Sequence, residues 1–471
     1  MLRPYQNKAL GEIFSYYKSG TRRVLLVMPT GSGKSVVMAE AMKRFAAEGK
    51  RSFMVTRGRK LISQYSARLK REGVRHSVIM AGSDHAAADS FVTLGSIDTV
   101  HRRKLCPEAD LLVIDEAHLA LSDAFFWLYE QYPTANFLSL TATPFAKQGF
   151  RALADVIVAP IDAKKLIAEG YLVPARYYTP AQKLDLSTVK KSGGEYVRKD
   201  LDLVVNQSRL FGDVVESWKR YGESRPSLLF AVSVSHSKRL CEAFNAAGVP
   251  SLHVDAECPE DVRQAALDAL EAGMVKVVCS VGTLITGVDL PCVSCLILCR
   301  PTLSQNIYLQ SLGRGTRPAP GKRDFIVLDH ADCVARFGFY DDARPYSIEG
   351  KPLPFRAVTR TCSVCFCTFK PTLDQRCPGL FPDGSTCGNV NEVKPPKPRE
   401  IKADDRFELV ELSPEEKEKR DREKWITDCA RDAAERGHKP GAAFFKVKAR
   451  YGDAIARGAW SLIHSVYREQ V

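Results

Sequence analysis

The run Pro29-Thr30-Gly31-Ser32-Gly33-Lys34-Ser35 has the residue types needed to hold a polyphosphate. Its glycines let backbone N–H groups turn inward around phosphate oxygens. Lys34 supplies a compact cation for the β- and γ-phosphates of ATP, and the Ser35 hydroxyl is a ligand for Mg²⁺. The strict phosphate-loop pattern would put glycine where Met28 stands, yet Thr30–Ser35 is complete. The plainer alternative is a glycine turn beside an incidental lysine. A second pair, Asp115-Glu116, follows the apolar run Leu111–Ile114. A carboxylate at the end of a buried strand is placed to hold Mg²⁺, the role expected of Asp115. Glu116 is then available to orient and polarise an attacking water.

Four thiols, Cys362-x-x-Cys365, Cys377 and Cys387, crowd one loop-rich segment with too few apolar residues to fold alone. A tetrahedral Cys₄ Zn²⁺ would supply the missing stability. Cys367 is a spare thiol that could replace one of the four, and unrelated free cysteines are the alternative. No histidine lies in the segment, which argues for a closed structural site over a catalytic one. The other nine of the fourteen cysteines are scattered, several inside apolar strand-like runs, and read as small buried hydrophobes.

These residues need elements to carry them. Val24–Met28, Phe53–Thr56, Phe91–Leu94, Leu111–Ile114 and Phe137–Leu140 read as strands, with helical spacing between most of them, as at Ser35–Ala47. The alternation pauses from Ala175 to Asn206, where KKSGG (190–194) marks a turn. It then resumes with strands at Leu228–Val232, Ser251–Val254, Val275–Cys279, Ser294–Leu298 and Phe325–Leu328. Helices are expected at His236–Ala247 and Pro259–Ala272. This spacing predicts an α/β chain with two parallel-sheet halves. The expected division is residues 1–174, a connector 175–208, a second half 209–335, a Cys₄ module 336–393, and a charged linker with helical tail 394–471. KPPKPR (394–399) reads as the linker, and Glu411–Arg436 as a solvated helix.

In order, Asp115-Glu116-Ala117-His118, Thr141-Ala142-Thr143-Pro144 and Gln310-x-x-Gly313-Arg314-x-x-Arg317 resemble the signature set of superfamily 2 helicases. More narrowly, Leu2-Arg3-Pro4-Tyr5-Gln6, Gly170-Tyr171-Leu172-Val173-Pro174, Thr286-Gly287-Val288-Asp289 and the four-cysteine module resemble the bacterial RadD-type DNA-repair helicases and their phage relatives. Those share a motor core with type III restriction enzymes. The resemblance implies two tandem RecA-like domains, and it covers roughly residues 1–330. It implies that Arg3 and Gln6 recognise adenine, and that Thr141 and Thr143, with His118, couple the nucleotide state to nucleic-acid grip. Gly287 and Asp289 would face nucleotide and strand. Gln310, Arg314 and Arg317 would reach the γ-phosphate, the two arginines being finger candidates. Thr56, Arg57, Ser96, Thr99, Ser233, His236 and Thr283 would touch nucleic acid. For each Ser or Thr, a turn or helix cap is an equal alternative.

The net charge of +13 fits a polyanionic partner. No run of about 18 apolar residues is present, so no membrane span is expected. The N-terminus lacks an apolar signal segment, and a cytoplasmic site is expected in a bacterium or an infected cell. The expectation is an ATP-dependent DNA helicase or translocase acting in repair or recombination. An RNA helicase, or an ATP-switched duplex-DNA remodeller that separates no strands, are the alternatives.

Overall fold

The structure, a computed structural model, describes residues 2–82, 84, 90–146, 148–180, 184–207, 210–285, 289–349, 357–372, 374–381, 383–391, 414–435 and 439–468. Gly287 and the 394–399 linker lie outside them. The chain forms two compact units, Met1–Glu392 and Val393–Val471.

The first half of the larger unit runs α1 (Pro4–Lys18), β1 (Arg23–Val27), α2 (Lys34–Ala47), β2 (Ser52–Thr56), α3 (Arg59–Arg71), β3 (Ser77–Ile79), β4 (Val92–Ser96), α4 (Ile97–Arg103), β5 (Leu111–Ile114), α5 (Asp123–Glu130), β6 (Asn136–Thr141), β7 (Val156–Val158) and α6 (Ala163–Ala168). Its seven strands are all parallel, in the order β3-β4-β2-β5-β6-β1-β7. The central strands are buried on both faces, which is why they read as unbroken apolar runs. β3 and β7 are edge strands of three residues. They are too short for periodicity to reveal.

The second half begins with β8 (Ala175–Tyr178), then β9 (Lys191–Ser192), β10 (Glu195–Tyr196), α7 (Arg198–Gln207) and α8 (Leu210–Tyr221). The core elements follow: β11 (Ser227–Phe230), α9 (Val234–Ala246), β12 (Ser251–Val254), α10 (Glu260–Glu271), β13 (Val277–Ser280), β14 (Cys295–Leu298), α11 (Gln305–Leu312), β15 (Phe325–Asp329) and α12 (Cys333–Phe337). Two short strands, β16 (Arg360–Thr361) and β17 (Cys367–Phe369), complete a sheet ordered β12-β13-β11-β14-β15-β8-β17-β16.

Two features differ from the expected layout. β8, placed in the connector by its sequence, pairs parallel with β15 as a strand of the second sheet. β17, from the cysteine segment, pairs antiparallel with β8. Cys362, Cys365, Cys367 and Cys377 share a hydrophobic core with Tyr178, Trp218 and Leu229. The cysteine segment is thus an edge of the second sheet, because only strand pairing satisfies the backbone groups that β8 would otherwise expose.

The smaller unit is helical, with α13 (Pro414–Glu435), α14 (Pro440–Tyr451), α15 (Asp453–Gly458) and α16 (Trp460–Arg468). Its core is made of Ile426, Ala430, Ala443, Val447, Ile463 and their neighbours. Among the described residues no helix is long and apolar enough to cross a membrane.

Candidate active site in the inter-domain cleft

The phosphate loop joins β1 to α2, at the carboxyl edge of the first sheet. Gly31 and Gly33 have φ of 83° and 85°, the left-handed region open to glycine. Gly33 has a further constraint, because a Cβ there would lie 2.5 Å from Gln6 Nε2. Tyr5 and Gln6 both donate to the Ser32 carbonyl, at 2.8 and 3.1 Å, and so tie α1 to the loop. The Arg3 guanidinium lies 4.4 Å from the Tyr171 ring centroid, and Tyr5 meets that ring edge-on. Arg3 and Gln6 therefore stand beside the loop. Tyr5 and Tyr171, which sequence reasoning quoted only as motif letters, form the aromatic wall with them.

Lys34 donates to the carbonyls of Met28 and Pro29 at 3.1 and 3.4 Å. Burial lowers its pKa, and the charges of Glu116 and Asp115 oppose that shift. Asp115 follows β5, which lies two strands from β1 with β6 between them. Burial first, then the charge of Glu116, pushes Asp115 up to about 6. Tyr65 of α3 donates to Asp115, and Arg68, one turn later, donates to Ser35 Oγ at 3.5 Å. The two expected Mg²⁺ ligands are thus steadied by α3, whose Tyr65 and Arg68 no sequence motif marks.

Glu116 has a left-handed φ of 51°, a strained conformation for a non-glycine residue. Burial raises its pKa, with Lys34 and Arg314 pulling the other way. His118 is the hub of the site. Burial pushes it down to about 4, so it is neutral near pH 7. Its Nε2 lies 3.2 Å from Gln310 Nε2. An amide nitrogen donates, so a neutral His118 accepts there and carries its proton on Nδ1. That proton faces Thr141 Oγ1 at 3.2 Å and Glu116 Oε2 at 3.4 Å. Thr143 Oγ1 is 3.5 Å from the same nitrogen. Thr141 ends β6, between β1, which leads to the phosphate loop, and β5, which leads to Asp115.

The second domain closes the cleft. Gln310 also donates to Glu116 Oε2 at 3.5 Å, Asn306 to the Phe145 carbonyl at 2.8 Å, and Tyr340 to the Thr30 carbonyl at 3.2 Å. Arg314 is buried and donates to the Ile285 carbonyl at 2.9 Å. Burial, followed by repulsion from Arg317, lowers it to about 10. Arg317 pairs with Asp289 at 2.7 Å. Positive charges from both domains therefore converge on one buried space next to two carboxylates, an arrangement suited to a metal-bound polyphosphate. A cavity of 420 Å³ adjoins it, between Thr30, Thr143, Phe145, Leu309 and Tyr346, and is apolar in character.

The residues expected to meet nucleic acid gather at the carboxyl edges of β2, β4, β11 and β13. Their side chains are less available than expected. Thr56, Ser96, Thr99 and His236 are buried, and Thr99 accepts from the Ala81 N–H at 3.2 Å. Ser233 caps α9, accepting from the His236 N–H at 3.1 Å and donating to Asp202. Thr283 Oγ1 and Thr56 Oγ1 are buried with no hydrogen-bond partner among the described residues. Arg57 is exposed. Ser233 and Thr283 are half-buried.

The sulfur atoms of Cys362, Cys365, Cys377 and Cys387 lie within 4.8 Å of one another. Two separations are 3.4 Å (Cys365–Cys377) and 3.9 Å (Cys362–Cys387). A Zn–S bond of about 2.3 Å implies edges of about 3.8 Å in a tetrahedron. Backbone N–H groups of Val364 and Gly379 donate to Cys362 and Cys377 sulfurs, as suits thiolates. Cys367 lies outside the group, in β17. The four thiols fit a tetrahedral metal ion.

Residues 1–146 match the family described as type III restriction enzyme, res subunit, and residues 213–319 match the helicase conserved C-terminal domain. A 51.5 kDa protein of Lactococcus phage (isolate 7-9) is 28% identical over 305 residues, covering 64% of this chain and 64% of that protein. The putative ATP-dependent helicase IRC3 of Saccharomyces cerevisiae is 24% identical over 353 residues, 70% of this chain and 51% of that protein. The chain thus spans between half and two thirds of the length of these relatives. Among solved structures, the ATP-dependent type ISP restriction-modification enzyme LlaBIII bound to DNA superposes with a TM-score of 0.53 at 17% identity, over 70% of this chain and 27% of that one. At that identity the likeness is one of fold.

Proposed function

We propose that this chain, a superfamily 2 helicase with a restriction-enzyme type of motor core, hydrolyses ATP in its inter-domain cleft to move on or unwind DNA. The observation that carries this reading is the contact of Gln310, from the second domain, with Glu116 and His118 of the first. It joins the group that would activate water to α11, which leads directly into Arg314 and Arg317. Lys34 and Ser35 hold the β- and γ-phosphates and Mg²⁺, and Asp115 steadies the metal. Arg3 and Gln6 take the adenine. Glu116 polarises the water, and Arg314 and Arg317 meet the charge that develops on the γ-phosphoryl oxygens. His118 is neutral and fixed in one tautomer, so it senses Glu116, Thr141 and Gln310 together.

DNA is favoured as the track by three considerations. The net charge is +13, a matching family is named for a restriction subunit, and a protein of like fold is bound to DNA. The resemblance to RadD-type helicases points to repair or recombination, in the cytoplasm of a bacterium or a phage-infected cell. Cys362, Cys365, Cys377 and Cys387 hold one structural Zn²⁺, which stabilises the edge of the second sheet. The test is the ATPase rate against a panel of single-stranded, duplex and forked DNA and of RNA. Stimulation by DNA is expected, and stimulation by RNA alone would reverse the choice of track.

A further inference from the structure

The smaller unit carries a row of aromatic rings of which Phe444 packs against its core while Phe445 and Trp460 stand open. The inner face of α14 is Ala443 and Val447, both fully buried among the alanines and isoleucines of the bundle. Phe445 points elsewhere and is 68% exposed. It touches Phe444 (5.9 Å between centroids), which touches Trp460 at the start of α16 (5.1 Å), which touches His464 one turn on (4.7 Å). Trp460 is itself 42% exposed. A single exposed apolar residue is ordinary, but a contiguous row open at Phe445 and at Trp460 is not required by this fold.

Charge says what covers it. Between Lys439 and Tyr467 stand Lys439, Lys446, Lys448, Arg450 and Arg457, against the single acid Asp453. Lys446, next to Phe445, and Lys448, one turn away, are both exposed. The acids that do pair with this face, Asp432 and Asp453, meet Lys446, Lys448 and Arg457 at 3.3, 2.8 and 2.8 Å through exposed contacts. Such contacts exchange readily for phosphate oxygens, because surface ion pairs are weak. Rings for flat partners beside cations for phosphates are what an unpaired nucleic-acid strand requires. A duplex hides its base faces, and an apolar protein helix would not call for the lysines.

We propose that the α14–α16 face binds a single DNA strand by stacking bases on Phe445 and Trp460, with Lys446 and Lys448 on the phosphates. This rests on the motor reading only for the choice of DNA, since it adds a second strand-binding surface outside the ATP cleft. The test uses the full chain with Phe445→Ala, Phe445→Leu and Phe445→Trp, binding a fluorescent oligo(dT) in the absence of ATP. Loss of one stacking contact should raise Kd roughly tenfold in the Ala and Leu variants, while Trp retains wild-type binding. The maximal ATPase rate on saturating duplex should be unchanged in all three. Equal oligo(dT) affinity for wild type and Phe445→Ala would overturn the proposal. So would full retention by Phe445→Leu with loss in Phe445→Ala, which would mean apolar docking without stacking. A wild-type chain with no DNA-stimulated ATPase would count against the motor and leave this binding comparison standing.

Discussion

Glu116 and Lys34 are near enough in the cleft for the charge of each to act on the other, and their proposed roles separate by substitution. Lys34→Ala should abolish hydrolysis with the fold intact, because Lys34 is the one cation in the Pro29–Ser35 loop. Glu116→Gln should bind ATP and Mg²⁺ but turn over more slowly by about 10² or more, the scale of a lost general base. Parallel nucleotide-binding and turnover assays check both, and near-normal turnover in Glu116→Gln would shift the water-positioning role to Gln310. His330 offers a different residue-scale test. Both its ring nitrogens are buried without a partner among the described residues, and burial depresses it to about 4. A free histidine titrates near about 6.5, so between those values the unfolded chain takes up a proton that the folded one does not. The stability tied to His330 is whole above about 6.5 and drains away as pH falls toward 4. Asp329, pushed up to about 6 by burial, acts in the opposite sense in wild type and variant alike. His330→Leu should therefore flatten, without abolishing, the decline in melting temperature between pH 6.5 and 4.5, since His118 and His236 are depressed in the same way. An unchanged slope would mean His330 is solvated in solution.

At the scale of elements, the cysteine segment and the second sheet share β8, which lies between β15 and β17. Tyr178 of β8 stacks on Tyr221 and donates to the Leu380 carbonyl. Loss of zinc should therefore be felt in the motor domain itself. Purified protein should contain one Zn²⁺ per chain by metal analysis. Cys362→Ser should lose the metal and lower the melting temperature by several degrees. Cys367→Ser should keep it, since its sulfur is outside the group of four. Zinc near zero in reduced wild-type protein would end the assignment. At α9, the Ser233 hydroxyl is engaged as a cap. Ser233→Ala should cost about 1 kcal/mol of stability, so any loss of DNA binding in that variant must be read against its melting curve.

For the whole molecule, function depends on the two domains meeting. Gly313 ends α11 so close to the phosphate loop that a Cβ there would stand 2.5 Å from Thr30 Cβ. Gly313→Ala should hold the cleft apart, sparing ATP binding by the first domain but removing most DNA-stimulated turnover. Arg317→Ala, and Arg314→Ala with it, should lower the stimulated rate by about 10³ or more while ATP affinity changes little. A variant of Arg317 with full stimulated turnover, or with weakened ATP binding alone, would remove that residue from the transition state. DNA affinity should fall steeply with salt and depend little on sequence, because the net charge of +13 favours phosphate contacts over base-edge contacts. Titrations at several salt concentrations with unrelated sequences of one structure decide this.

The amino-acid sequence by itself determined the ordered motifs, the central strands and the cysteine spacing. Buried parallel strands must be apolar, and phosphate loops must be glycine-rich, whatever surrounds them. Lys34, Asp115, Glu116 and the four thiols were legible because the constraint on each is local. What the tertiary structure decided was everything that depends on partners distant in the chain. β8 reads as connector because four half-polar residues show no period, and only β15 and β17 make them a strand. Tyr65 and Arg68 became supports of the expected Mg²⁺ ligands because folding brings α3 to Asp115 and Ser35. Thr56, Ser96 and Thr99 were expected by resemblance to touch nucleic acid, yet packing buries them, while Arg57 stays exposed. His118 was one letter of a motif until folding placed Glu116, Thr141 and Gln310 around its ring. A side chain's type is written in the chain, but its protonation, partners and exposure are set by what the fold brings against it.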